Sequence, residues 1–367
     1  MRIGLDGRWY NYSGVGNYVS ELLQAMSDLD EDLEIILYED RRNPLDHVHG
    51  GRIHRVPVHA PRYSVQEQFE LPRRCRADQL DVFHSPFYVT PWLAPCPVVV
   101  TIHDLIPFLF RIYPGPKRKL IQAGYWLGVK KSARLIADSE STGADLHRIL
   151  KVPTERIRVI HLATSREYFH PERDAGEAEY LFTHYGVHKP YVLTLSAKNW
   201  RTKNLPVVLE ALSICRRQVE SEFQVVVAGP PDGFREAAQQ SAPQIEGVVL
   251  TGFVPTPDLA KLYRAAEVFL ICSKYEGFGL PLLEAMSCGC AVVSSDAGSL
   301  PEVAGPGAIL VRPEDSLGMA QAVARLLRNP DERRQQRARS KKRAADFSWE
   351  AAARQTFSVY SEVAARR

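Results

Sequence analysis

Residues 268–287 read VFLICSKYEGFGLPLLEAMS and contain the pattern of one strand, one turn and one helix. The apolar run at 268–271 has the length of a buried strand, and residues 282–287 have a helical pattern. Gly277 and Gly279 permit a tight turn between them, and Pro281 fits the first helical turn, where an N–H group has no partner within the helix. Such a unit is typical of α/β proteins with a parallel sheet.

The same alternation of short β-rich runs and helical patterns continues along the chain. It predicts two Rossmann-like, doubly wound α/β domains, and ligands of such open sheets bind at the carboxyl ends of the strands. Two domains facing each other would place both sets of strand ends on a central cleft. The predicted strands are 3–6, 34–38, 82–85, 98–102, 135–138, 157–160, 191–195, 224–228, 248–251, 268–271 and 291–294, and the predicted helices include 16–26, 117–131, 205–219, 259–265, 282–287 and 315–327.

A charged segment without periodicity, residues 165–176, separates the two halves and is predicted to be the linker. We therefore expect a first Rossmann-like domain over residues 1–170 and a second over residues 177–345. Residues 346–367 have a helical pattern, and the sequence leaves open which domain this helix packs on.

The composition excludes several classes of protein. Lys and Arg number 46 against 43 Asp and Glu, a net charge of +3, which is too balanced for a dedicated nucleic-acid-binding protein. The six cysteines are scattered without a C-x-x-C pair, which indicates reduced residues rather than disulfides or a metal site. Without a leader pattern or an apolar run of about 18 residues, we expect a cytoplasmic protein, and any membrane contact would be peripheral, at the inner face of the membrane.

Three cations crowd the loop after the predicted strand 191–195, just before a helix for which Asn204 is the predicted N-cap. Lys198, Arg201 and Lys203 repel one another and the positive end of that helix, so the arrangement favours a bound anion such as a diphosphate. The alternative is a solvated basic loop.

Two carboxylates flank the glycine-containing turn. Glu276 precedes the backbone N–H groups of residues 278–280, and Glu284 lies about one helical turn beyond them. Carboxylates accept hydrogen bonds from vicinal hydroxyls, and helix-terminal amides attract anions, so the segment predicts a site for a hydroxyl-rich, negatively charged ligand. Ser299 and Glu302, further on, have the spacing of a capping box, and a role in ligand binding is the alternative.

The first half of the chain contributes two weaker signals. Gly14 and Gly16 open the first predicted helix, where backbone could approach a phosphate, although a simple flexible turn remains an alternative. Val19 stands where a dinucleotide fingerprint requires a small residue, so the loop argues against NAD. His103 directly follows the predicted strand 98–102, and its role could be structural or functional.

These motifs resemble those of the retaining family 4 glycosyltransferases of the GT-B fold, which use nucleotide-diphosphate sugars. The segment Glu276-Gly-Phe-Gly-Leu-Pro-Leu-Leu-Glu284 matches the E-x7-E motif of that family in spacing and glycine placement. The resemblance is closest to bacterial mannosyl- and glucosyl-transferases that build surface polysaccharides. It covers nearly the whole chain, with weaker matches at Gly14-Val-Gly16, His103-Asp104, Ser139, Lys203-Asn204-Leu205 and Gly298-Ser-Leu-Pro-Glu302.

The resemblance implies a role for each matched residue. Glu276 would contact the hydroxyls of the transferred sugar, Glu284 the ribose, and Lys203 the diphosphate. The amides around Phe278, Gly279 and Leu280 would line the sugar and phosphate site, Gly16 would close over it from the other domain, and His103 would contact the sugar. Relatives usually carry an arginine beside or several residues before this lysine, and here Arg201 is shifted by one residue, so either Arg201 or Lys198 is the second cation.

By this resemblance the first domain is on the acceptor side and the second binds the nucleotide sugar. The expected reaction moves a mannose- or glucose-type hexose from a GDP- or UDP-hexose to a glycan or lipid-linked acceptor, without metal or other cofactor. A nucleotide-sugar epimerase and a non-catalytic nucleotide-sugar binding protein are the alternatives. The helical pattern at 117–131 combines cations with Tyr125 and Trp126, which favours either a membrane-surface contact or core packing of the aromatic rings.

Overall fold

A computed structural model of the chain describes residues 1–10, 13–42, 45, 50–197, 199–220, 222–240 and 247–366. The chain divides into two compact units, Met1–Leu162 together with Ser348–Arg367, and Ala163–Phe347. Each unit has its own parallel sheet, and the prediction of two Rossmann-like α/β domains is confirmed.

The sheet of the first unit has seven parallel strands in the described residues, in the order β3-β2-β1-β4-β5-β6-β7. The strands are β1 (Arg2–Asp6), β2 (Glu34–Asp40), β3 (Ile53–Val58), β4 (Val82–Ser85), β5 (Val98–Ile102), β6 (Arg134–Ala137) and β7 (Ile157–Val159). The helices between them are α1 (Ser13–Ser27), α2 (Glu67–Ala77), α3 (Ile106–Leu109), α4 (Gly115–Lys131) and α5 (Glu140–Leu150). Every residue of β4 and β5 is buried, as expected for central parallel strands that are covered on both faces.

The sheet of the second unit has six parallel strands in the described part of the chain, in the order β10-β9-β8-β11-β12-β13. Its strands are β8 (Tyr191–Leu195), β9 (Gln224–Ala228), β10 (Val248–Gly252), β11 (Val268–Ile271), β12 (Val292–Ser295) and β13 (Ile309–Val311). Its helices are α6 (Glu177–Tyr185), α7 (Trp200–Lys203), α8 (Leu205–Gln218), α9 (Pro231–Gln240), α10 (Thr256–Ala265), α11 (Leu280–Ser287), α12 (Leu300–Ala304), α13 (Ser316–Arg328) and α14 (Pro330–Ala344). The strand order changes direction between β8 and β11, so the loops that follow these two strands lie at the switch point of the sheet.

Two strands were not predicted from the sequence, and both lie at a sheet edge. β3 contains Arg55 and Pro57 and is only partly buried, while β13 has three residues. An edge strand is covered on fewer sides than a central one, so it lacks the apolar run that identifies a buried strand.

The predicted linker at 165–176 belongs to the second unit and packs on it. Phe169 is buried and its ring centroid lies 6.2 Å from that of Tyr263. The Arg264 guanidinium donates a hydrogen bond to the carbonyl of Tyr168 at 3.1 Å. The first unit therefore ends at Leu162, earlier than the expected residue 170, because these contacts attach the following segment to α10.

The last helix, α15 (Trp349–Ala364), belongs to the first unit, where it packs against α1. Inside that unit the Tyr360 hydroxyl lies 2.6 Å from Nδ1 of His84, and Nε2 of His84 lies 2.8 Å from the Thr101 hydroxyl. A buried chain of polar side chains thus joins α15 to β4 and β5. The sequence did not indicate which domain this helix packs on. The buried hydrogen bond between His84 and Tyr360 shows that it packs on the first.

Candidate active site

Glu276 lies in the loop after β11 and meets two hydrogen-bond donors at one of its oxygens. The Lys203 ammonium donates to Oε1 at 2.6 Å, and the Ser273 hydroxyl donates to the same oxygen at 2.5 Å. The Glu276 side chain is only 13% exposed. The structure therefore brings together the carboxylate and the cation that the sequence singled out separately, 73 residues apart.

The loop after β12 holds the backbone of Glu276 in place. The backbone N–H and the hydroxyl of Ser299 both donate to the Glu276 carbonyl, at 3.3 and 3.0 Å. Gly298 adopts φ 59°, and a Cβ at this position would lie 2.9 Å from both the N and the O of Glu276. The predicted capping box at Ser299 is wrong, because this hydroxyl bonds to Glu276 and makes no cap bond to α12 within the described residues.

The position of Lys203 is set by a break between the helices α7 and α8. Asn204, at φ 57°, ends α7 and begins α8. Its side-chain amide donates to the carbonyl of Pro313 at 2.6 Å and to the Cys272 sulfur at 3.2 Å. Asn204 thus has the predicted N-cap position, but its side chain ties the helix break to the neighbouring loops and leaves Lys203 directed toward Glu276.

The other predicted cations are placed differently. Arg201 is exposed, and its guanidinium lies over the Trp200 ring, 4.3 Å from the centroid. The Trp200 ring nitrogen in turn donates to Glu236 at 2.6 Å. Lys198 lies outside the described residues. Among the predicted cations that the structure describes, Lys203 alone contacts Glu276.

The turn into α11 has the conformation that its glycines allow. Gly279 is the N-cap at φ 96°, and a Cβ there would lie 2.8 Å from a methyl group of Leu300. No side chain of the described residues caps this helix, which begins at Leu280. Phe278 is buried, with its ring centroid 5.9 Å from that of Phe347. The turn therefore presents the amide end of α11 beside Glu276, and this end attracts anions.

Glu284 lies further along α11 and is partly buried. Burial raises the pKa of its carboxyl to about 7, although the Tyr263 hydroxyl and the charge of Lys203 act in the opposite direction. The Tyr263 hydroxyl donates to Oε2 of Glu284 at 3.2 Å. A carboxyl in this state changes charge near neutral pH and can accept hydroxyl hydrogen bonds when it is ionised.

His103, in the first unit, follows β5 and is held through both ring nitrogens. Nδ1 lies 2.6 Å from the carboxylate of Asp138, and Nε2 lies 2.9 Å from the carbonyl of Pro86. Burial opposes the charged form, but the Asp138 carboxylate and the Pro86 carbonyl together raise the pKa of His103 above its ordinary value. Both partners are acceptors, so both contacts favour the charged form of the ring.

The two glycines of the first helix differ in their surroundings. Gly14 is exposed, and a Cβ there would have no atom within 4 Å. A Cβ at Gly16 would lie 1.7 Å from the carbonyl oxygen of Tyr10. Gly16 is therefore required by a close backbone approach, whatever its role toward a ligand.

Several residues that contact the predicted site side chains were missed from the sequence, among them Tyr263, which donates to Glu284, Ser273, which donates to Glu276, and Asp138, which contacts His103. Ser273 has the S-x-x-E spacing to Glu276, which at the end of a strand would have been a usable signal. Asp138 follows β6, the strand next to β5, so the neighbouring strand ends place it beside His103. This second relation depends on strand order, which the sequence pattern alone did not supply.

Comparisons with known proteins agree with these two units. The model for Glycosyltransferase Family 4 matches residues 12–167, and the model for Glycosyl transferases group 1 matches residues 185–343. O-antigen chain mannosyltransferase B of Escherichia coli is 27% identical over an alignment of 371 residues that covers 96% of this chain and 96% of that protein. MMP alpha-(1->4)-mannosyltransferase of Mycolicibacterium hassiacum is 30% identical over 236 residues, 63% of this chain and 54% of that protein.

The crystal structure of Anabaena Alr3699/HepE in complex with UDP and glucose has the same fold. It superimposes with a TM-score of 0.77 at 17% identity, covering 98% of this chain and 99% of that one. One family model thus matches each parallel-sheet unit. Lys203 and Glu276, the two predicted site residues whose side chains are hydrogen-bonded to each other, lie in the second unit. The chain belongs to the family 4 glycosyltransferases of the GT-B fold.

Proposed function

We propose that this enzyme transfers a hexose of mannose or glucose type from a GDP- or UDP-activated donor to a glycan or lipid-linked acceptor in cell-surface polysaccharide synthesis. The observation that carries the proposal is the convergence of Lys203 and Glu276 beside the amide end of α11. A diphosphate needs cations and amides, and a sugar needs hydrogen-bond acceptors. Both named relatives are mannosyltransferases, which makes GDP-mannose the first donor to test.

Each residue of the second unit has a distinct role in this proposal. Lys203 and the amides at Phe278, Gly279 and Leu280 bind the diphosphate. Glu276 accepts hydrogen bonds from the sugar hydroxyls, and Glu284 accepts them from the ribose. Gly14, Gly16, Lys198 and Arg201 remain predicted contacts of the donor.

The reaction needs a stabilised leaving group more than a nucleophilic side chain. The bond between the anomeric carbon and the diphosphate oxygen breaks, and the acceptor oxygen forms a bond to the same face of that carbon. The departing phosphate oxygen takes the proton of the acceptor hydroxyl, so the atoms and charges balance without a protein base. Cations and amides that are fixed where negative charge develops lower the barrier of such a step.

His103 fits this scheme as a charged contact and not as a base. Both ring nitrogens already lie at hydrogen-bond distance from protein acceptors, the Asp138 carboxylate and the Pro86 carbonyl, so a substrate proton would have to compete with one of these contacts. We infer that His103 contacts the donor sugar, as the family resemblance implies, through the positive charge that its two acceptors favour or after releasing the Pro86 carbonyl.

The test is a panel of nucleotide sugars, with GDP-mannose and UDP-glucose first, scored by thermal stabilisation and by release of nucleoside diphosphate. A specific ligand raises stability in proportion to RT ln(1 + [L]/Kd). A transferase hydrolyses its donor slowly without an acceptor, an epimerase converts the donor to its epimer, and a binding protein does neither. Stabilisation by none of the donors would contradict the proposal, and activity that requires magnesium or manganese after chelation would contradict its metal-free form.

The acceptor is proposed to lie at a membrane, because one helix of the first unit exposes both apolar and cationic side chains. On α4, Leu120 is 74% and Trp126 46% exposed, and Lys117 and Lys119 lie in its first turns. Tyr125, in contrast, is buried and stacks on Tyr88, so the two aromatic residues of this helix have different roles. Of the described helices, none is both long and apolar enough to cross a bilayer.

Two further apolar side chains of the first unit are exposed. Phe69 on α2 and Trp92 in the loop between β4 and β5 are 61% and 46% exposed, and the side chain of Gln68, the residue before Phe69, accepts a hydrogen bond from the backbone N–H of Trp92 at 2.9 Å. Exposed aromatic and leucine side chains beside lysines are typical of peripheral membrane contacts.

Cosedimentation with vesicles of anionic and of neutral lipid tests the membrane contact. We expect binding to anionic vesicles that falls with salt and with the double change Lys117→Glu and Lys119→Glu. Arg118 is left unchanged because its guanidinium donates to the carbonyls of Pro107 and Phe108. The matched control is the double change Lys341→Glu and Lys342→Glu on α14. Vesicle binding that does not change with the α4 substitutions would favour a soluble acceptor.

A further inference from the structure

The two oxygens of the Glu276 carboxylate have different surroundings. Oε1 accepts hydrogen bonds from Lys203 and from Ser273. Within the described ranges of the chain, no residue donates a hydrogen bond to Oε2 or forms an ion pair with it. One oxygen is therefore committed to the protein, and the other is left for a group from outside.

The two donors to Oε1 differ in how firmly they are placed. Ser273 is fully buried two residues after β11, and its carbonyl accepts a hydrogen bond from the buried Ser295 hydroxyl of β12 at 2.6 Å. Lys203 reaches Oε1 at the end of a four-carbon side chain that is 26% exposed. A ligand anion can draw the lysine away, whereas the position of the serine is set by two adjacent strands.

We propose that Ser273 is a positioning residue for Glu276: it holds Oε1 while Lys203 engages the diphosphate, so that Oε2 is the oxygen that accepts the hydroxyls of the donor sugar. The inference deepens the proposed function and rests on it. A neutral hydroxyl suits this task better than a second cation would. It orients the carboxylate without cancelling the negative charge that faces the positive charge developing at the anomeric carbon.

The experiment is a double-mutant cycle with Ser273→Ala and Glu276→Gln. The readout is the kcat and KM of GDP-mannose hydrolysis, with UDP-glucose measured in parallel, together with the affinity for GDP and for UDP. The nucleoside diphosphate lacks the sugar, so its affinity reports whether the remainder of the site is intact. Ser294→Ala is the matched control, because Ser294 is equally buried in the same unit but its hydroxyl bonds only to a backbone carbonyl, at 3.1 Å.

We expect Ser273→Ala to lower kcat about tenfold, as for loss of a hydrogen bond to a charged group, with the nucleoside diphosphate affinity within about twofold of the parent. In the Glu276→Gln background the same change should have almost no further effect, because a residue that acts through another shows no independent contribution. Ser294→Ala should leave kcat within about twofold in both backgrounds.

Two results would overturn the inference, and they are distinguishable. In the first result Glu276→Gln lowers kcat, but Ser273→Ala either leaves kcat unchanged or lowers it by the same factor in the Glu276→Gln background as in the parent. Ser273 then does not act through Glu276, and the proposed function stands. If Glu276→Gln itself leaves kcat and KM unchanged, the proposed role of Glu276 fails, and the inference about Ser273 fails with it.

Discussion

The Lys203 ammonium lies 2.6 Å from Oε1 of Glu276, so the cation proposed for the diphosphate is paired in the free protein with the carboxylate proposed for the sugar. Both side chains are largely buried, at 26% and 13% exposure, where an unpaired charge would be unfavourable. When the donor binds, phosphate oxygens can replace one carboxylate contact of Lys203. The charge of the lysine is thus balanced both before and after binding.

Replacement of Lys203 by alanine should weaken binding of GDP or UDP by roughly 10- to 100-fold, since a hydrogen bond between charged groups contributes about 1.5–3 kcal/mol. Isothermal titration calorimetry measures the affinity. Lys261→Ala is a suitable control, because Lys261 pairs with Asp258 on α10. Affinity within about twofold of the parent in Lys203→Ala would contradict the phosphate assignment.

The second phosphate cation can be identified by comparing Arg201→Ala with Lys198→Ala. Arg201 is exposed and its guanidinium is stacked over Trp200, so we expect its removal to change nucleotide affinity less than removal of Lys198. The same titrations provide the measurement. A larger loss in Arg201→Ala would reverse this assignment.

Binding of the nucleotide sugar should strengthen as the pH rises through 7. Burial raises the pKa of Glu284 to about 7, and a carboxyl must lose its proton to accept both ribose hydroxyls. With that pKa the ionised fraction rises about tenfold between pH 6 and pH 8, and the affinity should rise by up to the same factor.

The affinity of GDP-mannose at several pH values, and the protons released in buffers of different ionisation enthalpy, test this dependence. The nucleotide sugar is used because a terminal phosphate has its own pKa near 6. Glu284→Gln should abolish the dependence, and a dependence that persists in this variant would assign it to another group.

Loss of one hydroxyl should loosen the last helix. Tyr360→Phe leaves Nδ1 of the buried His84 without its partner, and we expect the first unit to lose about 1–3 kcal/mol of stability. Hydrogen exchange of the α15 amides and urea denaturation would measure this. The exposed ion pair of Glu350 and Arg354 on the same helix provides the control, since Arg354→Ala should cost less than about 0.5 kcal/mol.

His84 also predicts the pH dependence of that stability. Burial lowers the pKa of His84 to about 3, below the ordinary value of about 6.5, so the unfolded chain binds the proton more readily. Its contribution is therefore complete above pH 6.5 and is lost as the pH falls from there toward 3, by up to about 1.4 kcal/mol per pH unit. The variant His84→Gln should lack this component of the acid sensitivity.

The two glycines of the first helix form a matched pair for mutagenesis. A Cβ at Gly16 would overlap the carbonyl of Tyr10, whereas a Cβ at Gly14 meets open space. Gly16→Ala should therefore lower the melting temperature by several degrees, on the order of 2 kcal/mol, and Gly14→Ala by about one degree or less. If Gly14→Ala weakens donor binding without this loss of stability, the predicted contact of Gly14 with the donor is supported, and unchanged binding would argue against it.

Much of the fold could be predicted from local sequence, because a strand or a turn is determined by residues close together in the chain. The apolar runs of β8, β9 and β11 give strands with the predicted bounds, and Gly279 adopts the positive φ that its turn requires. The E-x7-E spacing was likewise visible, since it depends only on the order of residues through one turn and one helix.

What brings distant side chains together is decided by strand order and helix packing. Lys203 meets Glu276 because β8 and β11 are neighbours at the switch point of their sheet, and His103 meets Asp138 because β5 and β6 are neighbours. Ser299 donates a hydrogen bond to the Glu276 carbonyl instead of capping its helix. The hydrogen bond between Tyr360 and His84 joins α15 to the sheet of the first unit. Sequence patterns report the burial and conformation of a segment, whereas each of these contacts depends on how two separate segments pack, so only the tertiary structure decided them.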